Sequence, residues 1–146
     1  WLWEASYKKG LKQMQIDVSK RVYPDTYEVK QFYGLSINTL DKSSLFAHKL
    51  CAILDRDRLQ NRDLFDSYFM FKNMFDINEA VIEVRTGKSL TEYLLELRNY
   101  ISKKVNNKQI LHGLGELLDE NKKQWVKKSL LNELLFQLEI KIESLR

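Results

Sequence analysis

An aspartate lies between two β-branched apolar residues near the start of the chain. Ile16 and Val18 flank Asp17, and polar and apolar residues alternate from 11 to 19 as they do in a strand. A carboxylate on a rigid strand can hold Mg²⁺ against phosphates and an attacking hydroxyl, as metal-dependent phosphoryl transfer requires. A strand-edge aspartate that faces water has the same pattern and is the commoner case. Asp17 therefore becomes a candidate metal ligand only in combination with other residues.

Two cations lie seven residues apart in a segment with helical spacing. Lys49 and Arg56 fall on one stripe of a helix that turns by about 100° per residue, beside the apolar residues Leu50 and Ile53. From that stripe both cations could reach over the edge of a cleft towards a triphosphate. Their apolar stems could equally cover the core while the charged ends stay in water. The spacing alone fits both interpretations.

Two acids follow in the next helical segment. Asp63 and Asp66 are three residues apart and share one face of a predicted helix whose opposite face is aromatic. One of them could orient Lys49 or Arg56, or help to bind a metal or a substrate. Both also lie near the start of the helix, where acids complement the helix dipole, and this is a sufficient structural explanation of their position.

The elements that must carry these residues change type along the chain. Strands are predicted at 2–7 and 11–19, joined by a turn at 8–10. A further extended stretch at 27–37 is interrupted at Gly34, by either a bulge or a tight bend. Helices are predicted at 42–56, 61–75, 76–86, 89–105 and 117–145, the last with a break near Asn121. Strands followed by helices indicate an α+β fold.

The ordered set of residues resembles the AbiEii/AbiGii toxin family, nucleotidyltransferases of the DNA polymerase β-like superfamily. The resemblance spans residues 11–75. The matching segments are Met14-Gln-Ile-Asp17-Val-Ser-Lys20-Arg21, Tyr33-Gly34-Leu-Ser-Ile37, Ala47-His-Lys49-Leu-Cys-Ala52-Ile-Leu-Asp-Arg56 and Asn61-Arg62-Asp63-Leu-Phe-Asp66-Ser-Tyr68-Phe.

The resemblance implies a role for each polar residue. Asp17 would be the third strand carboxylate and a metal ligand, Lys49 would contact the nucleotide phosphates, and Asp63 would be the acid of an Arg-Asp motif. These three are the predicted catalytic residues. The remaining predictions are nucleotide binding by Lys49, Arg56 and Arg62, and support by Asp66.

The resemblance also implies an activity and an architecture. Such enzymes transfer a nucleotide from an NTP, with Mg²⁺, to an acceptor, which we expect to be an RNA such as a tRNA, or a protein. Many are bacterial toxins of toxin–antitoxin or abortive-infection pairs, so we expect a cognate antitoxin. Residues 1–40 would form the strand-rich end of a nucleotidyltransferase core with a mixed sheet, and residues 41–146 a mainly helical C-terminal bundle.

The chain departs from the family pattern before Asp17. A Gly-Gly-Thr/Ser loop and an Asp-x-Asp strand are expected there, and the sequence has neither; Asp55-Arg56-Asp57 has the letters of the second motif but lies at a predicted helix end. We therefore expect the C-terminal part of such an enzyme, inactive by itself, because two-metal chemistry lacks its principal ligands. The alternative is a non-catalytic helical module that binds RNA or a protein, which the aromatic-rich, basic C-terminal helices would suit. The basic segment around Trp125 could bind an RNA backbone and stack a base, but a solvated helix with Trp125 in the core is the better interpretation of it.

Composition limits the other classes of protein. The 24 basic and 20 acidic residues give a net charge of +4, which permits contact with a polyanion without requiring it. Cys51 is the only cysteine, which excludes an intrachain disulfide and a Cys-rich zinc site. No apolar stretch is long enough to span a membrane. We expect a cytoplasmic protein without membrane contact.

Other signals indicate structure rather than chemistry. Gly87-Lys88-Ser89 resembles the end of a phosphate-binding loop, but the earlier glycine would fall at Ile82, so a helix stop followed by a cap is the better interpretation. His48 and His112 have no partner at metal-ligand spacing and are expected to have ordinary surface or core roles.

Overall fold

The first two strands form an antiparallel pair. A computed structural model describes residues 2–5 and 14–146 of the chain, with side chains from residue 18 onwards. Strand β1 (Leu2–Ala5) pairs with β2 (Met14–Asp17), so that Leu2 lies opposite Asp17 and Ala5 opposite Met14. The predicted strand pairing is confirmed, whereas the predicted turn at 8–10 falls outside the described residues.

The second extended stretch is a hairpin. Strand β3 (Tyr27–Phe32) pairs antiparallel with β4 (Leu35–Leu40), and Tyr33 and Gly34 form the two-residue turn. Both turn residues have positive φ, 48° and 80°, which is the conformation that closes a tight hairpin with the twist of its strands. The predicted bend at Gly34 is confirmed, and the described strands form two separate two-stranded sheets.

Five α-helices and one 3₁₀ turn follow the strands. The predicted order of strands and then helices is confirmed, and the fold is α+β. Whether the change of element type after residue 40 also marks a domain boundary stays a prediction. The helices are α1 (Lys42–Asp55), α2 (Asn61–Lys72), α3 (Glu79–Thr86), α4 (Leu90–Lys104) and α5 (Glu120–Ser144), with the 3₁₀ turn at Asn107–Gln109.

The predicted break in the last helix is wrong. Helix α5 is continuous, and Asn121 lies in its first turn rather than in its interior. The Asp119 carboxylate accepts a hydrogen bond from the backbone N–H of Lys122 at 2.8 Å, and this cap starts the helix three residues later than predicted. Helix α2 also ends three residues earlier than predicted, at Lys72.

Side-chain caps fix where the helices begin. Asp41 accepts a hydrogen bond from the backbone N–H of Ser44 at 2.8 Å, and this bond lowers the pKa of the Asp41 carboxyl from 3.8 to about 2. Ser89 and Glu92 form a capping box at the start of α4, and Gly87, with φ 71°, ends α3. The interpretation of residues 87–89 as a helix stop and a cap is confirmed.

All five helices contribute buried residues to the core. Helix α5 packs on α2 and α4, while α1 packs on α2, α3 and α4. On α1, the backbone carbonyl of Leu50 accepts a hydrogen bond from the hydroxyl of Tyr93 on α4 at 2.9 Å. The buried face of α5 repeats every fourth residue, at Val126, Leu130, Leu134, Leu138 and Ile142.

Hydrogen bonds tie the segment after β2 to the bundle. The buried hydroxyl of Ser44, on α1, accepts a bond from the backbone N–H of Thr26 at 2.9 Å. The Asn78 amide, at the start of α3, donates to the Pro24 carbonyl at 3.0 Å and to Ser44 Oγ at 3.1 Å. The segment that follows Asp17 in the sequence is therefore anchored to α1 through Thr26 and to the start of α3 through Pro24.

Candidate functional site

Lys49 lies between two carboxylates of the neighbouring helix. Its Nζ donates to Asp66 Oδ2 at 2.7 Å and to Asp63 Oδ1 at 3.3 Å. The Lys49 side chain is 25% exposed to solvent, the Asp66 side chain is 31% exposed and the Asp63 side chain is 1% exposed. Two carboxylates thus hold the ammonium group, while a quarter of the Lys49 side chain stays exposed to solvent.

The connection between α1 and α2 creates this contact. Only residues 56–60 separate the two helices, so the start of α2 folds back onto α1. Asp63 belongs to the first turn of α2, where its backbone N–H donates to the Gln60 carbonyl at 2.9 Å. Its carboxylate is directed towards α1, and a charge so deeply buried requires cationic partners.

Arg56 is the second cation of this cluster. Its Nε lies 3.2 Å from Asp63 Oδ2, so that Lys49 and Arg56 flank the same carboxylate. The Arg56 contact is an ion pair without hydrogen-bond geometry, and Oδ2 accepts no hydrogen bond from any residue that the structure describes. The Arg56 side chain is 47% exposed, so it is far less buried than the Asp63 carboxylate that it pairs with.

Two predicted site residues are not joined to the cluster by a contact. Arg62 is exposed on α2 beside Asp63, and the structure gives its side chain no ion pair within residues 18–146. Asp17 is the last residue of β2, opposite Leu2, and its side chain lies outside the described part. The structure therefore brings together Lys49, Arg56, Asp63 and Asp66, and the catalytic, metal-binding and nucleotide-binding roles stay predictions.

The cluster does not form a metal site by itself. Across residues 18–146, no three His, Cys, Asp or Glu side chains come together as they would around a metal ion. Both acids of the cluster already bind Lys49, and Asp63 also faces Arg56. A metal ion would need other carboxylates, and the metal-binding role of Asp17 stays a prediction.

A second polar network surrounds His48, the residue that precedes Lys49. His48 Nε2 lies 2.8 Å from an Asp25 carboxylate oxygen, and His48 Nδ1 lies 2.7 Å from Arg85 NH1. Arg85 in turn pairs with Asp55 at 2.7 Å, and the Tyr23 ring packs edge-on against the imidazole. Because an arginine can only donate, Nδ1 accepts from Arg85 and Nε2 carries the proton that Asp25 accepts.

Sequence reasoning missed this network. Asp25 precedes His48 by 23 residues, and Arg85 follows it by 37, so no local spacing reveals the contacts. The network borders a cavity of about 310 Å³, which Ser19 also lines.

The cluster contains cations of the kind that a phosphate-like anion requires. Lys49 and Arg56 are held beside Asp63 and keep part of their side chains exposed, whereas the exposed Arg62 lies next to Asp63 in the sequence without a contact to the cluster. Such a cluster is typical of sites where a charged substrate is held by preorganised cations rather than by flexible ones.

None of the described helices is long and apolar enough to cross a membrane.

Comparison with known proteins supports the resemblance noted from the sequence. A family model described as "Nucleotidyl transferase AbiEii toxin, Type IV TA system" matches residues 9–131, well over half of the chain. No curated protein and no solved structure matches the chain. The matched range contains Asp17 and the whole Lys49 cluster. The chain belongs to the AbiEii nucleotidyl transferase toxin family of type IV toxin–antitoxin systems.

Proposed function

We propose that Lys49, held between Asp63 and Asp66, binds the triphosphate of an NTP during Mg²⁺-dependent transfer of its nucleotide to an RNA acceptor, such as a tRNA. The family supplies the class of reaction, and the Lys49 cluster is the observation that carries the assignment to particular residues. A protein acceptor is the alternative within the same reaction.

The proposed role of Lys49 follows from its confinement. A free lysine loses about 2 kcal/mol of rotamer freedom when it is fixed on a ligand. Asp63 and Asp66 already hold the ammonium group, so part of that loss has occurred before the nucleotide binds. The exposed part of the group can then attract phosphate oxygens at the place where charge develops during transfer.

The proposed role of Asp63 is to position cations rather than to contact the nucleotide. Its carboxylate is 1% exposed and lies between Lys49 and Arg56. Asp66, which is more exposed, holds Lys49 from the other side. Arg56 and Arg62 would add charge at the edge of the triphosphate site.

The proposed metal is Mg²⁺, with Asp17 as one of its ligands. When bound, Mg²⁺ would neutralise phosphate charge and orient the attacking hydroxyl. The described residues provide no complete ligand set, so we propose that the other carboxylates come from the Gly-rich loop and Asp-x-Asp strand that the family pattern predicts and this sequence lacks. Activity is accordingly assigned to a protein that contains those motifs, and not to these 146 residues alone.

The proposed biological role is that of a toxin neutralised by its antitoxin. The type IV toxin–antitoxin family to which the chain belongs suggests such a partner. We propose that both act in the bacterial cytoplasm, where NTPs and acceptor RNA are available.

The test uses a protein that contains this chain together with the Gly-rich loop and the Asp-x-Asp strand, called the natural protein below. It is purified and incubated with each labelled NTP, Mg²⁺ and total tRNA. Label should enter the RNA with one or more of the four nucleotides, and EDTA should stop the incorporation. Incorporation into protein instead of RNA would identify the alternative acceptor. Tight RNA binding without incorporation for any NTP would contradict the transferase assignment and favour a non-catalytic binding module.

A further inference from the structure

A basic cavity borders the connection between α1 and α2. Its volume is about 490 Å³, and its lining includes Arg58 from that connection, Lys104 at the end of α4 and Lys108 in the 3₁₀ turn. Asp and Glu are absent from its described lining. Three cations around one concave surface without an acid are an arrangement that favours a bound anion.

The three cations are not engaged by acids elsewhere. Within residues 18–146, the structure shows no ion pair for Arg58, Lys104 or Lys108, although Lys49 and Arg56 are both paired. All three side chains belong to exposed residues. An incoming anion would therefore not have to displace a carboxylate from any of them.

Hydrogen bonds hold the walls of the cavity in place. The Asn61 amide, at the start of α2, donates to the Gln109 carbonyl at 2.8 Å and to the His112 carbonyl at 3.2 Å. The Asn107 amide donates to the Lys127 carbonyl on α5 at 2.9 Å. The segment that carries Lys108 is thus fastened to both α2 and α5.

The cavity adjoins the candidate site through the chain itself. Arg58 follows Arg56 by two residues, and Asn61 precedes Asp63 by two residues. Consecutive Cα atoms are about 3.8 Å apart, so each of these pairs lies within about 8 Å. Residues that line the cavity therefore lie close along the chain to residues of the Lys49 cluster.

We propose that this cavity binds a backbone phosphate of the acceptor RNA, next to the nucleotide site. The inference rests on the proposed function, because it requires the acceptor to be an RNA. Lys49 and Arg56 serve the triphosphate in that function, whereas Arg58, Lys104 and Lys108 offer a second, separate group of cations. Phosphate contacts of this kind position a strand without reading its sequence.

The test compares two double variants of the natural protein that remove equal charge. Lys104→Gln with Lys108→Gln removes two cations of the cavity, whereas Lys42→Gln with Lys141→Gln removes two cations that neighbour Phe75, beyond the opposite end of α2. Fluorescence anisotropy with labelled tRNA gives Kd between 0.05 and 0.2 M KCl, roughly the range over which phosphate contacts are weakened by salt. Circular dichroism verifies that both variants are folded.

The cavity variant should bind tRNA about ten-fold more weakly than the unmodified protein, and the salt dependence of its Kd should flatten by about one to two units of logarithmic slope. The Lys42/Lys141 variant should change Kd less than half as much. Arg58→Gln, in the connection between α1 and α2, should weaken binding in the same direction as the Lys104/Lys108 variant.

Three results would overturn the inference. They are unaltered tRNA affinity in the cavity variant, an equal loss in both double variants, and a loss of NTP affinity with tRNA binding retained. The last would assign the cavity to the triphosphate instead. Because anisotropy does not depend on catalysis, a protein that binds tRNA through the cavity but transfers no nucleotide would contradict the proposed function and not this inference.

Discussion

Lys49 Nζ donates a hydrogen bond to Asp63 Oδ1 at 3.3 Å, across the contact between α1 and α2. The carboxylate is nearly inaccessible to water, while part of the lysine side chain remains exposed. A buried acid therefore fixes the position of a cation that a substrate can still reach. The same acid faces Arg56, which links the end of α1 to the cluster.

Asp63→Asn should destabilise the protein more than Asp66→Asn. Replacement of Asp63 removes the buried charge that balances Lys49 and Arg56, and we expect a loss of about 1–3 kcal/mol in the free energy of unfolding. Asp66 is partly exposed, so its replacement should cost about 1 kcal/mol or less. Urea unfolding of the two variants measures both values, and equal losses would argue against a buried cluster centred on Asp63.

The Asp41 cap predicts a specific acid dependence of stability. The pKa of Asp41 is about 2 in the folded protein, below its ordinary 3.8, because the Ser44 backbone N–H donates to the charged carboxylate. The stabilisation is complete above about pH 4 and is lost as the pH falls towards 2. Asp41→Asn keeps an oxygen acceptor but carries no charge.

The measurement for Asp41 is the difference in unfolding free energy between the unmodified protein and Asp41→Asn, followed from pH 6 to pH 2. The difference should be constant above about pH 4 and should shrink below it. Asp41→Ala, which removes the cap altogether, should cost about 1 kcal/mol at pH 6. A difference that does not vary with pH would contradict the assigned cap.

Cys51 should be unreactive in the folded protein. Burial of its side chain raises the pKa of the thiol to about 11, so little thiolate forms at pH 8. Ellman's reagent should react slowly with the native protein and rapidly in urea. Since Cys51 is the only cysteine of the sequence, the signal reports this residue alone. Equally fast reaction in both conditions would show that the helix core opens readily.

The helices were predictable because their determinants are local. Ser89 and Asp41 cap their helices through hydrogen bonds from residues three positions ahead, and such spacing is visible in the sequence.

The wrongly predicted helix break at Asn121 has a physical reason. Asparagine is a weak helix former in a helix interior, but here it lies in a first turn that Asp119 caps.

The site was predictable only in part. The spacing of Lys49 and Arg56 indicated a shared stripe, and the resemblance indicated which acids accompany them. Only the packing of α1 on α2 shows that Asp63 contacts both cations. The contacts of His48 with Asp25 and Arg85 join distant segments, and no periodicity in the sequence encodes them.

The most direct test of the central claim is nucleotide incorporation by Lys49→Ala in the natural protein. Lys88→Ala is the matched control, because Lys88 is also an ion-paired lysine but lies outside the cluster. We predict that Lys49→Ala lowers the rate of incorporation by at least about 100-fold, as removal of a preorganised charge at a reacting group does, while Lys88→Ala stays within about two-fold of the unmodified protein. Unchanged incorporation by a folded Lys49→Ala variant would contradict the account.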